Sequence, residues 1–151
     1  MPATDEDKIN ELYETVDENL TYLIFSVGKE SFAIKTLLVQ EIMHSAKIHP
    51  LPFVPDYIEG VVNCHGVPFT VVNTLKMSGS QECDIEGGKV LIFKRDDDNF
   101  AIHISNIEMF FEPEDKDILS EGIRYKMNII PFLNADFIEQ SMIHDLWEEE
   151  D

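Results

Sequence analysis

Apolar residues in this chain come in short alternating runs separated by turn residues, a period of two that predicts a β-rich domain. Thr21 to Val27 reads as a first strand and Ser31 to Lys35 as a second. Gly28-Lys29-Glu30 turns between them, and Phe32 and Ile34 share a face. Val67 to Asn73 is a further strand. Lys89 to Lys94 is apolar on both faces, which places it centrally in a sheet. In the next strand Phe100, Ile102 and Ile104 point inward and leave His103 on the other face. Asn128 to Leu133 is a last strand, with Pro131 marking an edge or a bulge.

Helical spacing appears in fewer places. Ile9, Leu12, Tyr13, Val16 and Leu20 predict an amphipathic helix over residues 5–18, capped by Thr4. Thr36 to His44 reads as a short helix, with Leu38 and Ile42 inward and Gln40 and Glu41 in water. Thr74 to Met77 is a short helical turn. Ser105 to Phe111 is a turn or helix with Ile107 and Phe110 in the core, and Ile118 to Lys126 fits no single pattern. Phe137, Ile138, Met142, Leu146 and Trp147 line a final helix capped by Asn134 or Asp136. Ser78 to Gly88 is a polar loop and the internal segment expected to move most, with Cys83 exposed in it. No βαβ alternation and no fixed-period repeat occurs.

One stretch organises the rest: Pro55-Asp56-Tyr57-Ile58-Glu59-Gly60-Val61-Val62-Asn63-Cys64-His65-Gly66. Val61 to His65 reads as a short strand bounded by glycines. Alternation puts Val62 and Cys64 on one face, with Val61, Asn63 and His65 on the other.

Composition narrows the function. The 151 residues are enough for one domain with a real core. The net charge is −19, of which −6 falls in residues 1–20 and −4 in residues 148–151. Such a surface repels nucleic acid and anionic lipid and favours basic partners. No apolar run approaches the ~20 residues of a membrane helix, so no direct membrane insertion is expected. The acidic N-terminal segment has no signal-peptide core. The expected compartment is the cytoplasm, where Cys64 and Cys83 stay unpaired.

The usual marks of chemistry are missing. There is no Gly-x-Ser-x-Gly, no phosphate-binding glycine loop, no Cys-x-x-Cys and no His-Glu-x-x-His. Asp96-Asp97-Asp98 lacks the glycine and terminal glutamate of an EF-hand and reads as a hairpin tip. Metal ligands of the right type are Cys64, His65, His44, His49 and His103, poorly spaced, and adjacent strand residues Cys64 and His65 point to opposite faces. No catalytic residue, metal site or cofactor is expected.

The stretch from Pro55 to Gly66 resembles the signature of CheW-type coupling proteins of bacterial chemotaxis, roughly P-x-Y-I-x-G-V-I-N-L-R-G. Pro55, Tyr57, Ile58, Gly60, Val61, Asn63 and Gly66 match it, while Cys64 and His65 stand where leucine and arginine are usual. Val39-Gln40-Glu41-Ile42 matches the family's V-x-E-I, and the Gly28 to Phe32 hairpin resembles its first two strands. The second half is less alike: Thr70-Val71-Val72-Asn73-Thr74 stands for P-V-I-D-L.

The resemblance implies a mainly β fold of two SH3-like five-stranded β-barrel subdomains sharing a core, with short and terminal helices. It divides the chain into an acidic helical extension (1–20), a CheW-like domain (21–147) and an acidic tail (148–151). It implies a non-enzymatic adaptor that joins methyl-accepting chemoreceptor cytoplasmic tips to the regulatory domain of a CheA-type histidine kinase. Val39, Glu41, Gly60, His65 and Gly66 fall at its partner-binding positions. Histidine for arginine at His65 weakens a bidentate, permanently charged contact. An adaptor for another chemosensory-type pathway, such as surface motility, is the alternative. A metal-binding protein or an acidic mimic of a basic protein's ligand rank below it.

Overall fold

The computed structural model describes residues 21–94 and 99–147. The expected helix over 5–18, the Asp96–Asp98 tip and the acidic tail lie outside the described residues. Among the described residues ten strands form two groups of five.

The first group begins with β1 (Tyr22–Val27) and β2 (Glu30–Lys35), antiparallel from Tyr22 opposite Lys35 to Val27 opposite Glu30. The expected hairpin is present, and Gly28 makes its turn at φ 62°. On the other side of β1 lies β8 (Asn106–Phe111). β9 (Gly122–Tyr125) and β10 (Asn128–Pro131) form a hairpin that joins β2 where Ala33 bridges Phe132. These strands enclose Tyr22, Ile24, Ala33 and Ile123.

The second group is one sheet in the order β3 (Val39–Met43), β6 (Lys89–Phe93), β7 (Phe100–Ile104), β5 (Val67–Val72), β4 (Ile58–Cys64). It curls shut because the chain after β3 returns to β4. His49 and Val61 exchange both backbone hydrogen bonds, at 2.8 and 2.9 Å. Gly60 makes that closure possible: a Cβ there would sit 2.1 Å from the His49 carbonyl oxygen. Val62, Cys64, Phe69, Val71, Val90, Ile92 and Ala101 fill this barrel.

A third cluster lies between the two barrels, with Leu23, Phe25, Val27 and Ile34 from one and Val72, Leu91, Phe93, Phe100, Ile102 and Ile104 from the other. This is the shared core, and β6 and β7 are buried on both faces because barrel and shared core sandwich them. Phe25 has no exposed surface. Truncating it to alanine costs about 3–5 kcal/mol by loss of transfer energy and the cavity left behind. Helix α1 (Thr74–Met77) is capped by Asn73, whose Oδ1 accepts from Leu75 N and Lys76 N. Helix α2 (Ala135–Trp147) starts where Asn134 Oδ1 accepts from Phe137 N, and it places Ile138 and Met142 on the shared core.

Three sequence expectations change. Thr36 to His44 is a 3-10 turn (Thr36–Leu38) followed by β3, not a helix. The register with β6 shifts between Val39 and Glu41, so Gln40 is a bulge. Val39 and Ile42 therefore pack on the shared core while Met43 packs in the second barrel. A spacing of three residues on one face imitates a helix. The segment expected as a turn or helix over Ser105 to Phe111 is strand β8 (Asn106–Phe111) for a similar reason: its partner register shifts, and Phe110 is 61% exposed rather than core. Cys83 is half-buried against the shared core, its carbonyl accepting from Asn73 Nδ2 at 2.8 Å.

Candidate functional site

β4 ends at Cys64, and Cys64 pairs with Val67 in β5. Only His65 and Gly66 lie between them, so this is a two-residue hairpin loop. Both have positive φ, 52° and 84°, the conformation whose twist suits tight hairpins. Histidine accepts it more readily than β-branched residues do. Asn63 Oδ1 accepts from Gly66 N at 2.8 Å and holds the loop closed.

That loop overturns the expectation that Cys64 and His65 point apart. His65 has left the strand, so the alternation rule no longer governs it. Its Nε2 lies 3.0 Å from Glu41 Oε1, and Cys64 Sγ–H donates to Glu41 Oε2 at 2.6 Å. Glu41 reaches them from β3. It stands opposite Ile92, which is buried in the second barrel, and paired residues share a face. Glu41 is thus turned to the mouth of that barrel, where its side chain remains 38% exposed. The Gln40 bulge sets this orientation.

The three groups form a graded site. Cys64 is buried, Glu41 half-buried and His65 exposed. Hydrogen bonds from Cys64 first and His65 second hold the Glu41 carboxyl below its usual range. The same carboxylate raises the His65 imidazole. Burial, then Glu41, pushes the Cys64 thiol up to about 11. A thiol so protonated is a poor nucleophile at neutral pH, which argues against covalent chemistry at this position.

The structure thus brings together Glu41, His65 and Gly66 of the sequence-derived partner positions, and adds Cys64, which the sequence placed on the strand face opposite His65. Val39 lies elsewhere on β3, half-buried against the shared core. Gly60 is buried at the His49 crossing. A His-Gly pair directly before a new apolar run was the sequence signal for the hairpin loop.

Burial of His103 went unforeseen. It is 4% exposed, with Nδ1 2.5 Å from Glu59 Oε2 and Nε2–H donating to the Gly87 carbonyl at 2.7 Å. Asn73 Nδ2 also donates to Glu59 Oε1, at 3.3 Å. This network ties the loop over Ser78 to Gly88 to the second barrel at Gly87, where the sequence suggested mobility.

Apolar side chains remain outside. Phe53 is fully exposed at φ 59°, and Met127 is 97% exposed. An open groove lies between β2 and the β9–β10 hairpin, lined by Phe32, Tyr125, Ile129 and Pro131 among others. Among the described residues no helix is long and apolar enough to cross a membrane.

Comparison with known proteins agrees with this architecture. The family profile described as CheW-like domain matches residues 21–142. A chemotaxis protein CheW of Treponema pallidum is 26% identical over 127 residues, covering 81% of this chain and 72% of that protein. One from Klebsiella aerogenes is 32% identical over 79 residues, covering 52% of this chain and 46% of that protein. The crystal structure of the scaffolding protein TtCheW from Thermoanaerobacter tengcongensis superposes with a TM-score of 0.68 at 15% identity, covering 77% of this chain and 89% of that one, which shows the shared fold. The family profile spans most of the chain, both barrels included: the protein belongs to the CheW-like domain family.

Proposed function

We propose that this protein is a non-enzymatic chemotaxis adaptor that couples chemoreceptor cytoplasmic tips to the regulatory domain of a CheA-type histidine kinase in the cytoplasm. The observation that carries the reading is the CheW-like family match over residues 21–142, together with the scaffolding protein that shares the fold. The surface supports it. Two barrels are joined through one core, and side chains such as Phe53, Phe110, Met127 and Ile129 are exposed on them. Apolar side chains beside sheet edges suit the docking of helices or strands. The protonated Cys64 thiol gives no support to nucleophilic catalysis.

Binding to a receptor signalling tip and to the kinase regulatory domain, measured separately and together by calorimetry, tests the proposal. Ternary binding is expected. Absence of both interactions would overturn it. Binding to a different kinase with no affinity for chemoreceptors would favour a surface-motility or other chemosensory-type pathway, the reading that His65 in place of arginine motivates.

A further inference from the structure

The strongest unassigned feature is the convergence of three different metal-ligating groups at the mouth of the second barrel. Cys64 Sγ, His65 Nε2 and a Glu41 carboxylate oxygen all lie within 4.8 Å of one another. They come from two places in the chain: β3 supplies Glu41, and the β4–β5 hairpin supplies the other two. We propose that Glu41, Cys64 and His65 form a three-ligand site for a zinc-type divalent cation, with water completing the coordination.

The donor set selects the class of ion. A thiolate and an imidazole are soft to borderline ligands and suit zinc or cobalt(II), whereas magnesium and calcium take oxygen ligands. Zinc sites built from three protein ligands keep a position for water, and mixed sets such as two histidines with a glutamate, or two cysteines with a histidine, occur among them. Zinc–ligand bonds of ~2.0–2.3 Å in tetrahedral geometry leave ligand atoms ~3.5 Å apart. The present separations are shorter, 2.6 Å from Cys64 Sγ to Glu41 and 3.0 Å from His65 Nε2 to Glu41, so the ligands must spread to admit the ion. Small side-chain rotations open room for the ion. The protein is preorganised for this, because the Gln40 bulge aims Glu41 and the Asn63–Gly66 hydrogen bond fixes the turn that carries His65.

Cys64 is buried, with the Glu41 carboxylate beside its sulfur. A divalent cation supplies the missing positive charge and leaves the sulfur deprotonated. On binding, the Sγ proton and the Nε2 proton that faced Glu41 both pass to solvent, leaving the imidazole's one proton on Nδ1 while the Nε2 lone pair goes to the ion. His65 is exposed, so the ion has a path in from water. This site stands independently of the adaptor function, since it needs no partner protein.

The test uses the full chain with Cys83→Ser, which leaves Cys64 as the sole thiol. Cobalt(II) titration is followed by absorption and zinc binding by calorimetry. Expected are one equivalent of ion, a thiolate-to-cobalt charge-transfer band, and a zinc-dependent rise in Tm that magnesium does not give. His65→Ala, a surface change that leaves the barrel intact, should weaken binding by about 100-fold. Cys64→Val should abolish the band. The proposal is overturned by no charge-transfer band, by binding that survives His65→Ala undiminished, or by the same Tm response to magnesium. Because none of these readouts involves a receptor or kinase, failure here leaves the adaptor reading untouched.

Discussion

Two glutamate–histidine pairs sit in the second barrel, and their contrast is instructive. Glu59 and His103 approach to 2.5 Å with side chains 19% and 5% exposed, whereas Glu41 and His65 lie 3.0 Å apart at 38% and 78%. The chemistry is the same and the surroundings differ. Around His103 the protein fills every position: Glu59 on one ring nitrogen, Gly87 on the other, and Asn73 on the carboxylate. Such a network is complete, and it fixes a loop. His65 is 78% exposed, so that pair is reached from solvent. Burial decides whether an ion pair locks structure or offers a site.

The largest effect should come from breaking the buried pair. Glu59→Ala leaves His103 without its counter-charge and should cost about 3 kcal/mol, seen as a Tm roughly 10 °C lower. A loss no larger than that of a surface substitution would erase the distinction between the two pairs.

The next largest should be a pH effect. For His103, burial alone would lower the imidazole pKa, but the Glu59 carboxylate and the Gly87 carbonyl raise it above its ordinary 6.5. Its stabilisation is therefore full below about 6.5 and lost as pH rises through the raised value. For Glu59, burial opposes ionisation, yet His103 leads the contacts that hold its pKa below the ordinary 4.5. Its contribution is present above about 4.5 and lost as pH falls through the depressed value. The pair is thus most stabilising between those two ordinary values. Tm should decline in mildly alkaline buffer, and His103→Gln should flatten that decline. Equal slopes in both proteins would remove His103 as the cause.

The smallest structural effect belongs to the exposed pair. His65→Arg should leave Tm unchanged while raising affinity for the receptor–kinase pair severalfold, because arginine is always charged and can fork to two acceptors. Arginine here also removes the proposed metal ligand, so cobalt binding should weaken in the same variant at least as much as in His65→Ala. Unchanged partner affinity would mean that His65 is not the position at which this chain diverges in coupling.

Most of the barrel frame was legible from alternation. The β1–β2 hairpin, the interior place of β6 and the short helix from Thr74 follow from local pattern and turn chemistry, and of the two candidate caps, Asn134 and Asp136, the structure uses Asn134. The Pro55 to Gly66 stretch by itself carried the family. Strands β3 and β8 were not legible, because a bulge in each pairing breaks the period of two.

What the sequence determined by itself was a β-rich chain, its family and the residues at its glycine-bounded strand. Only the tertiary structure decided what those residues meet. Glu41 lies 23 positions from Cys64, and His103 lies 44 from Glu59. No local pattern encodes such partners. Barrel closure at Gly60 and His49 and the left-handed turn at His65 bring them together, because side-chain direction depends on backbone geometry that only the closed sheet fixes.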